Sequence, residues 1–258
     1  MLDEVTISEA IIDSYQKKLK NNLKVDVAIA GAGPAGLICA YYLAKAGKKV
    51  VVFERKLSIG GGMWAGGMMF NQIVIQKEAK GILDEIGVRT KLYKKEYYLA
   101  DAVESVCSLG YRAAKAGADI LNGIYAEDIM VKNGKVCGLV INWSATSIAK
   151  LHVDPLTIEA KVVLDATGHP IEVVRVVEAK SGLNLKTKTK KVLGEKSMWA
   201  DRAEKTVAKN TKEVCPGLFV AGMAANAVFG SPRMGPIFGG MLLSGKKCAS
   251  LIEKKLKK

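Results

Sequence analysis

Residues Lys24 to Glu54 read KVDVAIAGAGPAGLICAYYLAKAGKKVVVFE. Val25, Val27 and Ile29 form a short apolar run that stops at Gly31-Ala32-Gly33-Pro34-Ala35-Gly36. Leu37 to Lys45 continues as an Ala/Leu-rich helix, Gly47 ends it, and Val50 to Phe53 make a second buried strand closing on Glu54. Each glycine has its own task. Gly31 permits the tight turn, Gly33 lets backbone N–H groups approach a pyrophosphate, and Gly36 lets helix and strand pack closely. The helix N-terminus then offers unpaired N–H groups and a partial positive charge to the phosphates. Glu54 stands eighteen residues past Gly36, where a carboxylate accepts hydrogen bonds from the adenosine ribose hydroxyls. A glycine-rich turn alone fits many α/β proteins. With strand, helix, strand and terminal acid around it, this one predicts a site for an adenine dinucleotide.

The 258 residues suffice for one large domain with a substantial core. Hydrophobic residues make up 49% and charged residues 25%, a soluble globular balance. The longest apolar stretch, Leu218 to Phe229, is broken by Gly222 and Asn226 and is too short to span a bilayer, so no membrane partner is expected. Asp3, Glu4 and Glu9 near the start fit neither a secretory signal nor an Arg-rich transit peptide. The five cysteines, at 39, 107, 137, 215 and 248, form no C-x-x-C pair, which fits a reducing, cytoplasmic setting. The net charge of +14 is nearly all lysine, spread along the chain with little aromatic interleaving, and this points away from nucleic acid. A positive field would still help to collect an anionic dinucleotide.

Outward from the opening unit, residues 4–21 predict an amphipathic lead-in helix carrying Val5, Ile7, Ile11, Ile12, Tyr15 and Leu19. Gly60 to Gly67 (GGGMWAGG) is too rich in glycine for regular structure and too apolar for a solvated linker, so it should press against the ligand. Lys77 to Ile86 and Ala102 to Ala116 predict helices, and Ala118 to Leu121 a short strand. Ile124 to Val131 and Val136 to Trp143 flank Asn133-Gly134, a hairpin signal, so an antiparallel layer is expected around 124–143. Ser144 to Thr157 lacks a pattern, Ile158 to Leu164 returns as a strand, and residues 182–213 predict a mobile lysine-rich segment with some pairing. Leu218 to Ala221 is a last buried strand and Ile237 to Lys255 a closing helix. With no repeat and no clean linker, residues 1–258 predict one dinucleotide-binding domain of α/β class, a parallel sheet with an inserted antiparallel layer.

A glycine turn with an acid after the second strand, a later Ala166-Thr167-Gly168 turn and the late strand Leu218-Phe219-Val220-Ala221-Gly222 resemble the two-dinucleotide-binding, Rossmann-type flavoproteins. In those proteins the late strand ends Gly-Asp and the carboxylate holds a ribityl hydroxyl. Here Met223 follows Gly222, and a thioether cannot replace that carboxylate. An FAD-dependent oxidoreductase is therefore the alternative reading, not the first.

Three segments narrow the resemblance: Gly60 to Gly67, Asp165 to His169 (DATGH) and Ser231 to Gly245 (SPRMGPIFGGMLLSG). Together they resemble the thiamine thiazole synthases, which consume NAD as a substrate. The resemblance implies that Ala35, Glu54, Arg55, Gly62, Ala126 and Met223, with Gly31, Gly33 and Gly36 of the turn, surround the dinucleotide. It adds His152, Val153 and Asp154 to that set, and gives Arg233 the carboxylate of glycine. The planar guanidinium fork suits a carboxylate independently of any family. In fungal and plant members a cysteine ahead of an Asp-Pro donates its own sulfur. Here the text is Leu151-His152-Val153-Asp154-Pro155, and none of the five cysteines falls in it. The chain therefore resembles the archaeal branch, in which free sulfide is the donor and the enzyme turns over.

The only two histidines are His152 and His169, and Asp154 and His169 form no local chelate signature. The resemblance makes Asp154 and His169 ligands of Fe(II), contributed across a subunit interface in a homo-octamer, and leaves His152 as a further ligand or an acid–base group. It implies cleavage of the nicotinamide–ribose bond of NAD, condensation of the opened ADP-ribose with glycine, and sulfide addition to give an adenylated thiazole carboxylate. Activity like that of a ribose-1,5-bisphosphate isomerase remains an alternative.

Overall fold

The computed structural model describes residues 1–257. The chain opens with α1 (Glu4–Asn21), capped by Asp3, whose carboxylate accepts the Thr6 N–H at 2.7 Å. β1 (Lys24–Ala30), α2 (Pro34–Lys45) and β2 (Val50–Glu54) are the expected strand–helix–strand unit. Pro34 sits in the first turn of α2, where its missing N–H costs nothing. A single 3₁₀ turn, Gly61–Ala65, gives the glycine-rich loop more regularity than its composition predicts, and fully buried Met63 anchors it. Next come β3 (Gln72–Gln76), α3 (Lys77–Ile86), β4 (Lys91–Lys94), β5 (Tyr97–Asp101), α4 (Ala102–Lys115) and β6 (Asp119–Asn122). The hairpin β7 (Ile124–Lys132) and β8 (Lys135–Trp143) turns at Asn133-Gly134, both at positive φ. The chain closes through α5 (Ser144–Ile148), β9 (Leu156–Asp165), α6 (Glu172–Lys180), α7 (Ala200–Asn210), β10 (Lys212–Cys215), β11 (Leu218–Val220), α8 (Met223–Val228) and α9 (Gly239–Leu256).

The large sheet runs β10-β11-β9-β1-β2-β6, parallel except for β10. Its central strands are buried on both faces, which is why Val50 to Phe53 reads as a continuous apolar run. Val27, Ile29, Val52 and Leu164 are fully buried, each contributing about 1.5–3 kcal/mol through burial. Helices α2, α4 and α9 pack on one face, where Gly245 brings α9 against α2: a Cβ there would lie 2.4 Å from the Ala35 carbonyl oxygen. Helix α6 lies with the hairpin on the other face.

Several expectations change. The antiparallel hairpin at 124–143 packs on the α6 face of the large sheet and is hydrogen-bonded into it as well. β8 pairs antiparallel with the first half of β9, from Leu156 to Glu159, while β11 pairs with its second half, so the hairpin prolongs the large sheet. The separate antiparallel sheet is β3-β5-β4, from residues that sequence patterning passed over. β4 is exposed throughout, so no buried face marks it in the sequence. Ser144 to Thr157 carries α5 and the first two residues of β9. The lysine-rich segment 182–213 carries α7, with Ala203 and Val207 fully buried. In α1 no apolar residue is fully buried; Leu19 packs partly buried against the core, and Lys18 and Asn22 bond Asp119 and the Ile120 carbonyl. Among the described residues no helix is long and apolar enough to cross a membrane.

Candidate active site

A cavity of about 1260 Å³ opens where β1, β2, β9 and β11 end. That is where ligands bind in doubly wound α/β folds, because the connections leaving β1 and its neighbour diverge there. The glycine turn forms its floor. Gly31 has φ +98°, and a Cβ on it would lie 2.5 Å from the Ala166 carbonyl oxygen. A Cβ on Gly36 would lie 2.0 Å from the Gly31 carbonyl oxygen, so this residue works behind the wall, holding α2 against the turn. A Cβ on Gly33 would meet no protein atom within 4 Å; it would occupy cavity space instead.

Glu54 is 7% exposed and braces the turn: one carboxylate oxygen accepts the Ala32 N–H at 2.9 Å and the other the Lys56 N–H at 2.9 Å. Glu54 lines the cavity, and each oxygen has accepted only one of the bonds it can take. Arg55 pairs with Glu172 in the same lining, and burial raises the Glu172 carboxyl above its ordinary value against the pull of that arginine. The glycine-rich loop does press in, with the Gly60 N–H on the Ala32 carbonyl at 2.7 Å and Gly61, Gly62 and Gly67 in the lining.

The turn after β9 is built by Asp165. Fully buried, it accepts the Thr167 N–H at 3.0 Å, the Thr167 hydroxyl at 2.7 Å and the Val174 N–H at 2.9 Å. Desolvation raises its carboxyl, and these hydrogen bonds oppose the shift. Asp165 thus holds the turn, and His169 projects from it into the cavity lining. The His169 Nδ1 lies 2.8 and 2.9 Å from the two oxygens of Glu195, a pairing that no sequence signal marked.

Arg233 lines the cavity with its loop zipped to the segment before α7. Lys196 N–H donates to the Ser231 carbonyl at 3.1 Å, Arg233 N–H to the Lys196 carbonyl at 3.0 Å, and Trp199 N–H to the Arg233 carbonyl at 3.0 Å. Pro232 and Met234 are buried, but Arg233 itself is exposed. Its charge is therefore free of any burial cost, and among the described residues no carboxylate lies within ion-pairing distance of it. Beneath the loop, Asn210 donates to Asn226 at 3.0 Å and to Ser231 at 2.8 Å, and the Ser244 hydroxyl accepts the Gly222 N–H at 2.7 Å. That buried network fixes Met223, which is 6% exposed and lines the cavity.

Of the residues expected to bind, the lining gathers Gly31, Gly33, Ala35, Glu54, Arg55, Gly62, Ala126, His169, Met223 and Arg233. It leaves out Gly36 and the trio His152, Val153 and Asp154, which sits on an exposed loop between α5 and β9 with Asn142 donating to the Val153 carbonyl. Among the described residues no three His, Cys, Asp or Glu side chains of one chain converge as a metal site. Thr167 of the Asp165 to His169 segment also lines the cavity, as do Tyr125, Glu172, Glu195 and Lys196, which no motif announced.

The Thi4 family profile matches residues 8–238. The chain is 55% identical over 256 residues to the thiamine thiazole synthase of Methanothermobacter thermautotrophicus, covering 99% of each. It is 56% identical over 257 residues to that of Pyrococcus horikoshii, covering 100% of each. The crystal structure of Thermovibrio ammonificans THI4 superposes with a TM-score of 0.96 at 54% identity, covering 100% of this chain and 99% of that one. A geranylgeranyl bacteriochlorophyll reductase-like protein from Thermoplasma acidophilum shares the fold, with a TM-score of 0.58 at 19% identity over 91% of this chain and 79% of its own.

Proposed function

The chain belongs to the Thi4 family and serves thiazole synthesis for thiamine, and from that premise we propose that it builds an adenylated thiazole carboxylate from NAD, glycine and free sulfide, turning over with Fe(II). One observation carries the reading: the dinucleotide cradle and an unpaired arginine share a single cavity. The N–H groups of the glycine turn take the pyrophosphate, Glu54 takes the ribose, and the guanidinium of Arg233 takes the glycine carboxylate with two parallel hydrogen bonds. Held in one enclosure, the fragments meet at high effective concentration while the glycine-rich loop and Met223 limit water.

The residues present fit iron. His169, with Nδ1 engaged by a carboxylate, is held as metal-bound imidazoles commonly are. Asp154, outside its own chain's cavity, would serve the cavity of another copy in an octamer. Fe(II) so held would stabilise negative charge developing on substrate oxygens and help deliver sulfide. His152 stands where the sulfur-donating members have cysteine, so the sulfur must come from solution.

Anaerobic incubation with NAD, glycine, ferrous salt and sulfide tests this. We expect nicotinamide and a thiazole product, detected by mass spectrometry, to exceed the molar amount of protein many times. A yield stopping at one product per chain, with sulfur lost from the polypeptide, would overturn it.

A further inference from the structure

We propose that Glu195 is a positioning residue that fixes the ring tautomer and aim of His169; the proposal rests on the reading of His169 as a working group of the cavity. Among the described residues Glu195 is the one acid whose carboxylate reaches that ring, and it does so with both oxygens, at 2.8 and 2.9 Å from Nδ1. A carboxylate only accepts, so Nδ1 carries a proton, and in the neutral ring the Nε2 lone pair is left free for a Lewis acid. The pair lies in the cavity lining, and the Glu195 side chain is 21% exposed against 46% for His169, so the acid is the better-shielded partner.

The backbone around Glu195 adds a second argument. Lys196 and Trp199 are the residues hydrogen-bonded to Ser231 and Arg233, so one short segment sets both the histidine and the arginine loop. An ordinary surface pair would tie nothing to the glycine-binding side of the cavity and would contribute little. Here the pair links two groups that must act on one assembled substrate, which come from the turn after β9 and the loop after α8. We infer that the Glu195 segment keeps them in register.

Nitrogen-15 NMR of the metal-free protein reads the tautomer directly, and the chain has only two histidines to assign, with His152→Asn removing one. In its neutral form the His169 ring should carry its proton on Nδ1. Glu195→Gln, which keeps an acceptor oxygen, should preserve that tautomer. Glu195→Ala should shift the ring toward Nε2–H, weaken Fe(II) binding about 10–100-fold in anaerobic titrations, and leave binding of ADP-ribose unchanged. A parent ring already protonated on Nε2, or an Ala variant with an unmoved tautomer, would overturn the proposal. A shifted tautomer with undiminished iron binding would uphold Glu195 as the positioning residue and count instead against His169 as an iron ligand. Should the Ala variant fail to fold, Glu195→Asp, whose shorter arm withdraws the carboxylate, is read in the same way.

Discussion

Gly31, Gly33 and Gly36 lie within six residues, yet they are glycine for different reasons. At Gly36 the obstacle is the chain's own backbone, 2.0 Å from where a Cβ would sit, so Gly36→Ala should cost more stability than the about 1–3 kcal/mol typical of overpacking. At Gly33 there is no obstacle in the protein. Gly33→Ala should therefore keep the melting temperature of the parent while ADP-ribose affinity falls about tenfold or more by calorimetry; equal losses of stability in both variants would contradict this assignment. Arg233→Ala should raise the glycine KM about 10–100-fold, the worth of a charge-assisted hydrogen-bonded pair, with NAD binding intact. These residues were legible because each sits in a local motif. Glu195 was not. Its partner His169 is 26 residues away, and nothing near Glu195 in the chain records that contact.

Among the elements, α7 and α9 meet at a buried carboxyl. Gln76 of β3 donates to Glu204 of α7 at 2.6 Å, and the glycines opening α9 leave room for both side chains: a Cβ on Gly239 would lie 1.6 Å from the Gln76 amide oxygen. Among the described residues, one oxygen of each side chain is buried without a partner. Burial is the largest cause raising the Glu204 carboxyl to about 7 from its ordinary 4.5, helped by the charge of Glu78 and opposed by the Gly240 N–H and Gln76. A raised acid holds its proton more tightly folded than unfolded, so stability is fullest below the unfolded value and falls as pH rises from about 4.5 to about 7. The loss should approach about 3 kcal/mol at most. Urea unfolding across that window should show the slope, and Glu204→Gln should flatten it. An unchanged slope would mean that other groups carry it. α7 escaped sequence patterning because only Ala203, Val207 and Asn210 are buried, too narrow a stripe to register among lysines.

On the scale of the whole molecule, the cavity gathers ends of strands from across the chain, yet Asp154 and His152 stay on an exposed loop. If copies complete one another's sites, the Asp154→Ala and His169→Ala variants should each lose iron binding and activity alone, yet regain both when co-expressed. The mixed assembly would contain pairs in which one copy supplies an intact aspartate and the other an intact histidine. Failure of every mixture to recover would place both ligands within one chain. If the site works with Fe(II), a chelator should stop thiazole formation while calorimetry still registers NAD.

The sequence by itself determined the βαβ unit, the acid that ends it and the hairpin at Asn133-Gly134. Each of these is written within a few residues of itself, in the period of the apolar positions or in a turn that only certain residues can make. Tertiary structure alone decided that the hairpin joins the large sheet, that residues 72–101 form a second sheet, and that Glu195, Glu204 and Asn210 find His169, Gln76 and Asn226. The physical reason is range. Hydrogen bonds between distant side chains leave no period in the chain and exist only once burial has brought their elements together.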